Sequence, residues 1–117
     1  MNFSNDRPIY RQIIDYSFQC VLAEQWIAGS KIPSVRELAV QMSVNTHTVL
    51  KAFDYLQNHN IIYSKRGMGY FLADNAKELV DAARREEFFA STLPTLFNEM
   101  KMLGITIDDI DTAYRNL

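Results

Sequence analysis

Two short amphipathic segments separated by only three residues constrain this chain more than any other feature of its sequence. The first covers residues 34–42 and begins with Ser34 and, three positions later, Glu37, which is the pattern of a helix capping box. The second covers residues 46–59 and is preceded by Asn45, a residue that favours helix N-caps. Its apolar residues recur on one helical face: Val49, Ala52, Phe53 and Leu56. Two short helices joined by so tight a turn form a helix-turn-helix unit.

A longer amphipathic stretch precedes this unit, and a strand-turn-strand pattern follows it. Residues 8–28 carry apolar side chains at helical spacing, and this helix should stop at Gly29. Strong strand formers at residues 61–63 and 70–72 lie on either side of a basic turn with two glycines. We therefore expect a β-hairpin with a basic tip, and this order of elements predicts a winged helix-turn-helix domain over residues 1–75.

Residues 76–117 are helical by composition and form a tail. Their apolar residues are spaced mostly three and four apart, as in helices that pack side by side: Leu79, Ala83, Phe89, Leu93, Leu96, Met100 and Leu103. Pro94 should kink this helix or split it in two, Gly104 should end it, and Thr106 should cap a last short helix. The predicted fold class is therefore mainly α with a small β-hairpin.

We expect the tail to hold a homodimer together, because its apolar residues have no obvious partner within so short a chain. The predicted dimerisation residues are Leu79, Phe89, Leu93, Leu96, Met100 and Leu103. Core packing within one chain is an alternative, and a ligand pocket lined with Phe88 and Phe89 is another.

Composition limits the kind of protein. With 117 residues, 48% hydrophobic and 22% charged, the chain is long enough for one soluble globular domain with a core and too short for a large enzyme fold. No apolar run approaches the roughly 20 residues that span a bilayer, and residues 1–7 are polar with no signal region behind them. We therefore expect a cytoplasmic protein. Cys20, the single cysteine, cannot form an internal disulfide.

The formal net charge of −2 is distributed unevenly. Residues 1–75 carry seven Lys and Arg against six acidic residues, whereas residues 76–117 carry five against eight. A surface that binds a polyanion should therefore lie in the first two thirds of the chain.

Four motifs resemble, in order and separation, those of the N-terminal domain of GntR-family bacterial transcription regulators. They are residues 8–13 (PIYRQI), 32–39 (IPSVRELA), 44–49 (VNTHTV) and 65–71 (KRGMGYF). The short helical tail is similar to that of the YtrA-type subfamily, whose members are often repressors of operons for ABC transporters. The resemblance implies a homodimeric repressor that binds a double-stranded DNA operator, and it points to no cofactor and to no particular small-molecule effector.

The start of the second helix of the unit is where a helix-turn-helix reads bases. This position predicts contacts from Thr46, His47, Leu50 and Lys51. His47 or Lys51 could bond guanine and Leu50 could touch a thymine methyl group, although His47 and Lys51 could also be ordinary exposed residues. The family places arginines where this chain has Thr46 and Leu50, so its base preference does not carry over.

The remaining predicted DNA contacts flank that helix. Arg36 matches the family arginine that reaches the DNA, and its alternative is pairing with Glu37 or with an acidic residue of the tail. The hydroxyl and amide groups near the helix starts suit phosphates, although each could be only a cap: Ser34, Asn45, Thr46 and Thr48. At the hairpin tip, the predicted minor-groove contacts are Lys65, Arg66 and Gly67. The alternative for these three is a plain basic turn.

Two other classes of function were weighed. His47, His59 and Cys20 lack the spacing of metal ligands, and the sequence has no glycine-rich phosphate loop, so we expect neither an enzyme nor a metal site. A protein-interaction module is the second hypothesis, because winged helices also bind proteins and this chain is not strongly basic. Salt-dependent binding to duplex DNA would discriminate between the two.

Overall fold

The computed structural model describes Phe3 and residues 6–117. The chain divides into two units, one ending at Ala82 and the other formed by Ala83–Leu117. This division falls inside a helix, whereas the sequence pattern places the domain boundary just before that helix, at residue 75. The architecture is mainly helical with one small antiparallel hairpin, which confirms the predicted fold class.

The first helix, α1, covers Ile9–Leu22 and is shorter than the sequence predicted, since the predicted end near Ala28 is wrong. The helix ends because Glu24 adopts a left-handed backbone conformation with a φ of 59°. The N–H of Trp26 then donates to the Cys20 carbonyl oxygen and closes the helix end. This turn buries the indole ring, so packing of the ring decides where the helix stops.

Both helices of the predicted helix-turn-helix are present with their predicted caps. The second helix, α2, covers Val35–Met42, and the third, α3, covers Thr46–Asn58. The chain reverses between them because Ser43 adopts a left-handed conformation with a φ of 56° and ends α2. The apolar face of α3 is fully buried, as its spacing predicts: Val49, Ala52, Phe53 and Leu56.

The predicted hairpin consists of β1, Ile62–Lys65, and β2, Gly69–Leu72, which pair antiparallel with Ile62 opposite Leu72. The segment before α2, predicted only as a loop, pairs with the other edge of β2. Gly29 N–H donates to the Leu72 carbonyl oxygen, and Ile32 N–H donates to that of Tyr70. Gly29 has a φ of +79°, and a Cβ there would lie 3.0 Å from Asp74 Oδ1, so glycine is required at the point where the chain joins the sheet.

The core of the first unit joins α1, α2, α3 and the hairpin. Large apolar side chains from all these elements are fully buried: Ile13, Ile14, Leu38, Phe53, Leu56, Ile61, Ile62 and Leu72. The Phe53 ring of α3 meets the Tyr70 ring of β2 edge to face, with ring centroids 4.9 Å apart. This contact fixes the hairpin against the third helix.

The tail begins with α4, Ala76–Glu87, and continues through a π turn, Phe88–Thr92, into α5, Leu93–Leu103. Pro94 lies in the first turn of α5, directly after the π turn. A proline nitrogen donates no hydrogen bond, and in a regular α-helix its ring would clash with the carbonyl four residues earlier, so the wider turn lies where that clash would occur. The sequence predicted a kink or a split at Pro94; the regular α-helix is interrupted before Pro94, but the backbone stays helical through the π turn and does not split into two separate helices.

The last helix, α6, covers Ile107–Arg115. Gly104 ends α5 in a left-handed conformation, as predicted. Thr106 and Asp109 form a capping box that begins α6, so the predicted cap at Thr106 is confirmed as well. In the part of the chain that the structure describes, no helix has the length and apolar character needed to cross a bilayer.

Candidate nucleic-acid interface

The start of α2 is closed by the predicted capping box. Glu37 N–H donates to the Ser34 hydroxyl oxygen at 3.0 Å, and Ser34 N–H donates to Glu37 Oε1 at 3.2 Å. The hydrogen bond from Ser34 N–H is the main cause that lowers the pKa of the Glu37 carboxyl, and the Lys31 ammonium lowers it further. Ser34 therefore acts as a helix cap, which is one of its two predicted roles; the other is a contact with a phosphate group.

The start of α3 is closed by Asn45, whose side-chain oxygen accepts the N–H of His47 at 2.7 Å. Asn45 is thus a cap, and its side-chain oxygen is committed to the backbone. The backbone N–H of Thr48 also donates to the carbonyl oxygen of Asn45. These bonds fix the first turn of α3, from which a helix-turn-helix presents its base-contacting side chains.

The face of α3 opposite the core is exposed. Because Val49, Ala52 and Phe53 are buried on one side, Leu50 and Lys51 point outwards. Four of the predicted contact residues are exposed and Thr48 is half-buried: Thr46, His47, Leu50 and Lys51. Leu50 is an apolar side chain with 40% of its surface exposed, beside the polar positions. A helix face of this kind can offer hydrogen-bond donors and one apolar contact to base edges.

Arg36 projects from the first turn of α2 and is exposed. Among the described residues, Phe3 and 6–117, the Arg36 guanidinium takes part in no salt bridge. The alternative prediction, in which Arg36 pairs with Glu37 or with an acidic residue of the tail, does not describe this structure. The Glu37 carboxylate is held by Ser34 instead. Arg36 is therefore an exposed cation at the start of α2.

The hairpin tip presents Arg66 and Gly67 in a tight turn closed by the Met68 N–H, which donates to the Lys65 carbonyl oxygen. Gly67 has a φ of +73° with open space around it, so the backbone at the tip is accessible. Lys65 lies at the end of β1, and its ammonium sits 4.4 Å from the centroid of the Phe71 ring. The three predicted residues therefore share one exposed basic end of the hairpin.

Sequence reasoning missed the contribution of α1 to this surface. An open groove of about 400 Å³ is lined by Ile9 and Tyr10 of α1 together with His47, Thr48 and Lys51 of α3. The Lys51 ammonium lies 4.0 Å from the centroid of the Tyr10 ring. Tyr10 occurs in one of the motifs that carry the family resemblance, but a contact between residues so far apart in sequence leaves no local pattern.

Lys31 is a second residue that sequence reasoning missed. Its side chain runs along Gly69, where a Cβ would lie 3.1 Å from the Lys31 Cε atom, and its charge lowers the pKa of the Glu37 carboxyl. Lys31 thus lies close to both Gly69 of β2 and the start of α2. The only sequence signal was its basic character immediately before the motif at residues 32–39.

The predicted dimerisation residues differ in exposure. Phe89, Leu96 and Leu103 are exposed, whereas Leu79 and Leu93 are half-buried. Met100 is only 6% exposed in the isolated chain, so it already packs within it. Three of the six residues therefore present apolar surface in a single chain.

No cluster of metal-ligating side chains occurs among the residues with a described placement. The polar groups around α3 are instead arranged as caps and as exposed donors. Such an arrangement suits recognition of an extended anion.

Comparison with known proteins agrees with this geometry. Residues 9–72 match the model of the family described as bacterial regulatory proteins, gntR family. The chain is 33% identical over 108 residues to the HTH-type transcriptional regulator YhcF of Bacillus subtilis (strain 168), a match that covers 92% of this chain and 88% of YhcF. It is 43% identical over 70 residues to the HTH-type transcriptional repressor YtrA of the same organism, covering 60% of this chain and 54% of YtrA.

Solved structures give the same result. A GntR-family transcriptional regulator from Bacteroides thetaiotaomicron is 38% identical, with a TM-score of 0.74 over 93% of this chain and 95% of that chain. The DNA-binding domain of AraR, solved in complex with operator ORX1, is 28% identical with a TM-score of 0.58 over 62% of this chain and 93% of that one. The chain therefore belongs to the GntR family of bacterial regulatory proteins, and it is a DNA-binding transcription regulator rather than an enzyme.

Proposed function

We propose that this regulator is a homodimeric repressor that binds a two-fold symmetric operator in the bacterial cytoplasm. The observation that carries this proposal is the exposed face of α3, which belongs to the same folded unit as the Arg36 cation and the basic hairpin tip. One such surface offers only a short reading helix and a few cations. Two copies are needed for a site long enough to be specific.

The proposed contacts are of three kinds: to base edges, to phosphates and to the minor groove. Bases are read by His47, Leu50 and Lys51 on the exposed face of α3, and Arg36 reaches the duplex from α2. Phosphates are bound by Thr46 and Thr48, whose hydroxyls lie at the positive end of the α3 dipole, and by the Ser34 hydroxyl hydrogen, which its cap bond leaves available as a donor. Lys65, Arg66 and Gly67 lie along the minor groove.

The tail supplies the dimer contact in this proposal. Residues 1–75 bind DNA and residues 76–117 join the two copies, with the first turns of α4 packed in the DNA-binding unit. Exposed Phe89, Leu96 and Leu103 are the apolar residues that a second copy would cover. The similarity to the repressor YtrA supports repression as the outcome of binding.

The test is selection of bound duplexes from a random pool with the full chain. We expect selected sequences with two inverted half-sites centred about 10 base pairs apart, because two reading helices would enter successive major grooves. Binding should weaken steeply with salt, since the cations release counterions from the phosphates. Selected sequences without symmetry would contradict the homodimer, and no enrichment at all would contradict sequence-specific binding.

A further inference from the structure

Among the predicted base-contacting residues, Lys51 has a side chain that is held by another element. Its ammonium lies 4.0 Å from the centroid of the Tyr10 ring, within the distance at which an aromatic face attracts a cation. A lysine on an exposed helix face otherwise samples many rotamers, so its ammonium is poorly positioned to recognise one particular atom of the DNA. The Tyr10 ring restricts the ammonium to one side of α3.

Tyr10 itself is fixed by the core. It is half-buried in the first turns of α1, and the next turn of that helix buries Ile13 and Ile14 completely. Its position is therefore set by packing rather than by a flexible loop, and the ring can serve as a rigid support for a side chain of α3.

The Lys51 ammonium remains available to a ligand although it lies over the Tyr10 ring. Within Phe3 and residues 6–117, Lys51 has no carboxylate at salt-bridge distance, and none of the other side chains that line its groove is acidic. The groove is open and wide enough to admit a phosphate group or the edge of a base. A second lysine of the proposed interface, Lys65, is held over the Phe71 ring in the same manner.

We propose that Tyr10 is a positioning residue for DNA recognition, which holds the Lys51 ammonium so that it donates to an acceptor atom of the duplex. This inference rests on the proposed function, because it requires that α3 contacts DNA. It extends the interface to the first turn of α1, where sequence reasoning placed no contact. Tyr10 acts through Lys51 rather than by touching the DNA.

A double-mutant cycle on the full chain tests this role. Operator affinity is measured for the natural chain, Tyr10→Leu, Lys51→Gln and the double variant, using a duplex selected by the natural chain. Tyr10→Leu should weaken binding about two- to five-fold, the effect expected of an exposed cation–π contact. In the Lys51→Gln background the same substitution should change affinity less than about 1.5-fold, because the group that it positions is gone.

Two further measurements separate positioning from structure. Tyr10→Phe keeps the aromatic face and should bind like the natural chain, whereas a need for the hydroxyl would mean direct contact with DNA. Lys51→Gln should lower the slope of log affinity against log salt by about one if the acceptor is a phosphate. If the acceptor is a base edge, the slope should stay unchanged, and the preference for a particular base pair at the contacted position should become weaker.

The outcomes distinguish this inference from the proposed function. An effect of Tyr10→Leu that persists in the Lys51→Gln background would overturn the positioning role, as would the absence of any effect in the natural background. Thermal unfolding of each variant shows whether a loss of affinity reflects unfolding. If the natural chain enriches no duplex, the proposed function fails and this inference fails with it, whereas specific binding with zero coupling removes the inference alone.

Discussion

Arg36 and Glu37 are adjacent in sequence, but the Glu37 side chain caps α2 whereas the Arg36 side chain is exposed. The Glu37 carboxylate accepts the Ser34 N–H and closes the start of α2, and the resulting hydrogen bond lowers its pKa. The Arg36 guanidinium is exposed and takes part in no salt bridge within the described ranges, 3 and 6–117. The Arg36 guanidinium therefore remains available for the proposed contact with DNA.

We predict that Arg36→Ala and Arg66→Ala each weaken operator binding by about 1–3 kcal/mol if the side chain contacts a base edge. Affinity is measured by fluorescence anisotropy at fixed salt. Arg84→Ala is the matched control, because it removes an exposed arginine from the tail and changes the net charge equally. Unchanged affinity in both interface variants, with native thermal stability, would mean that the reading surface lies elsewhere.

The helix caps could be predicted from the sequence, whereas the end of α1 and the Lys51 contact could not. The caps at Ser34 and Asn45 depend on contacts within three residues, so their sequence patterns were sufficient. The early end of α1 depends on burying Trp26, and the Lys51 contact depends on Tyr10 from another helix. Both are tertiary effects, and local periodicity does not contain them.

At the scale of one helix, the α2 capping box should make stability depend on pH. The pKa of Glu37 is lower in the folded chain than its ordinary value of 4.5. Its ionised form therefore contributes stability that is present above that value and is lost as the pH falls through the lowered folded pKa. We expect Glu37→Ala to lower the unfolding temperature at pH 7 and to lower it progressively less as the pH falls below 4.5.

Circular dichroism during thermal unfolding between pH 3 and 7 provides the measurement. Glu99→Ala serves as the control, because it removes an exposed glutamate that is outside any capping box. A difference between Glu37→Ala and the natural chain that stays constant across this range would contradict the role of the ionised carboxylate.

For the whole molecule, the proposed dimer depends on apolar side chains that a single chain leaves exposed. Leu103 is 73% exposed and Leu96 is 39% exposed, whereas Met100 is already buried within the chain. A glutamate in place of Met100 would therefore disturb the folding of the tail, whereas glutamates in place of Leu96 and Leu103 test the association of two chains. Burial of a leucine contributes about 1.5–3 kcal/mol, so several such residues from each of two chains could hold a dimer.

We predict that Leu96→Glu combined with Leu103→Glu gives a folded monomer, which binds a half-site weakly and loses most of its affinity for the full operator. Sedimentation equilibrium at micromolar concentration reports the state of association. The matched control is Ile27→Glu combined with Val40→Glu, which places two charges on exposed apolar positions of the first unit and should leave the dimer intact. A double leucine variant that remains dimeric would move the interface away from this face.

The π turn at Phe88–Thr92 gives this tail a particular evolutionary property. A π turn accommodates one residue more than a regular α-helix of the same span, so loss of a single codon there could restore a regular helix. In a regular helix, each residue removed or added changes the angular phase of everything downstream by about 100°. A π turn absorbs such a change locally, so Leu96 and Leu103 would keep their side of the helix if one residue were lost there. The apolar face of the tail can therefore survive a one-residue change in length at this turn that would displace it anywhere else in α4 or α5.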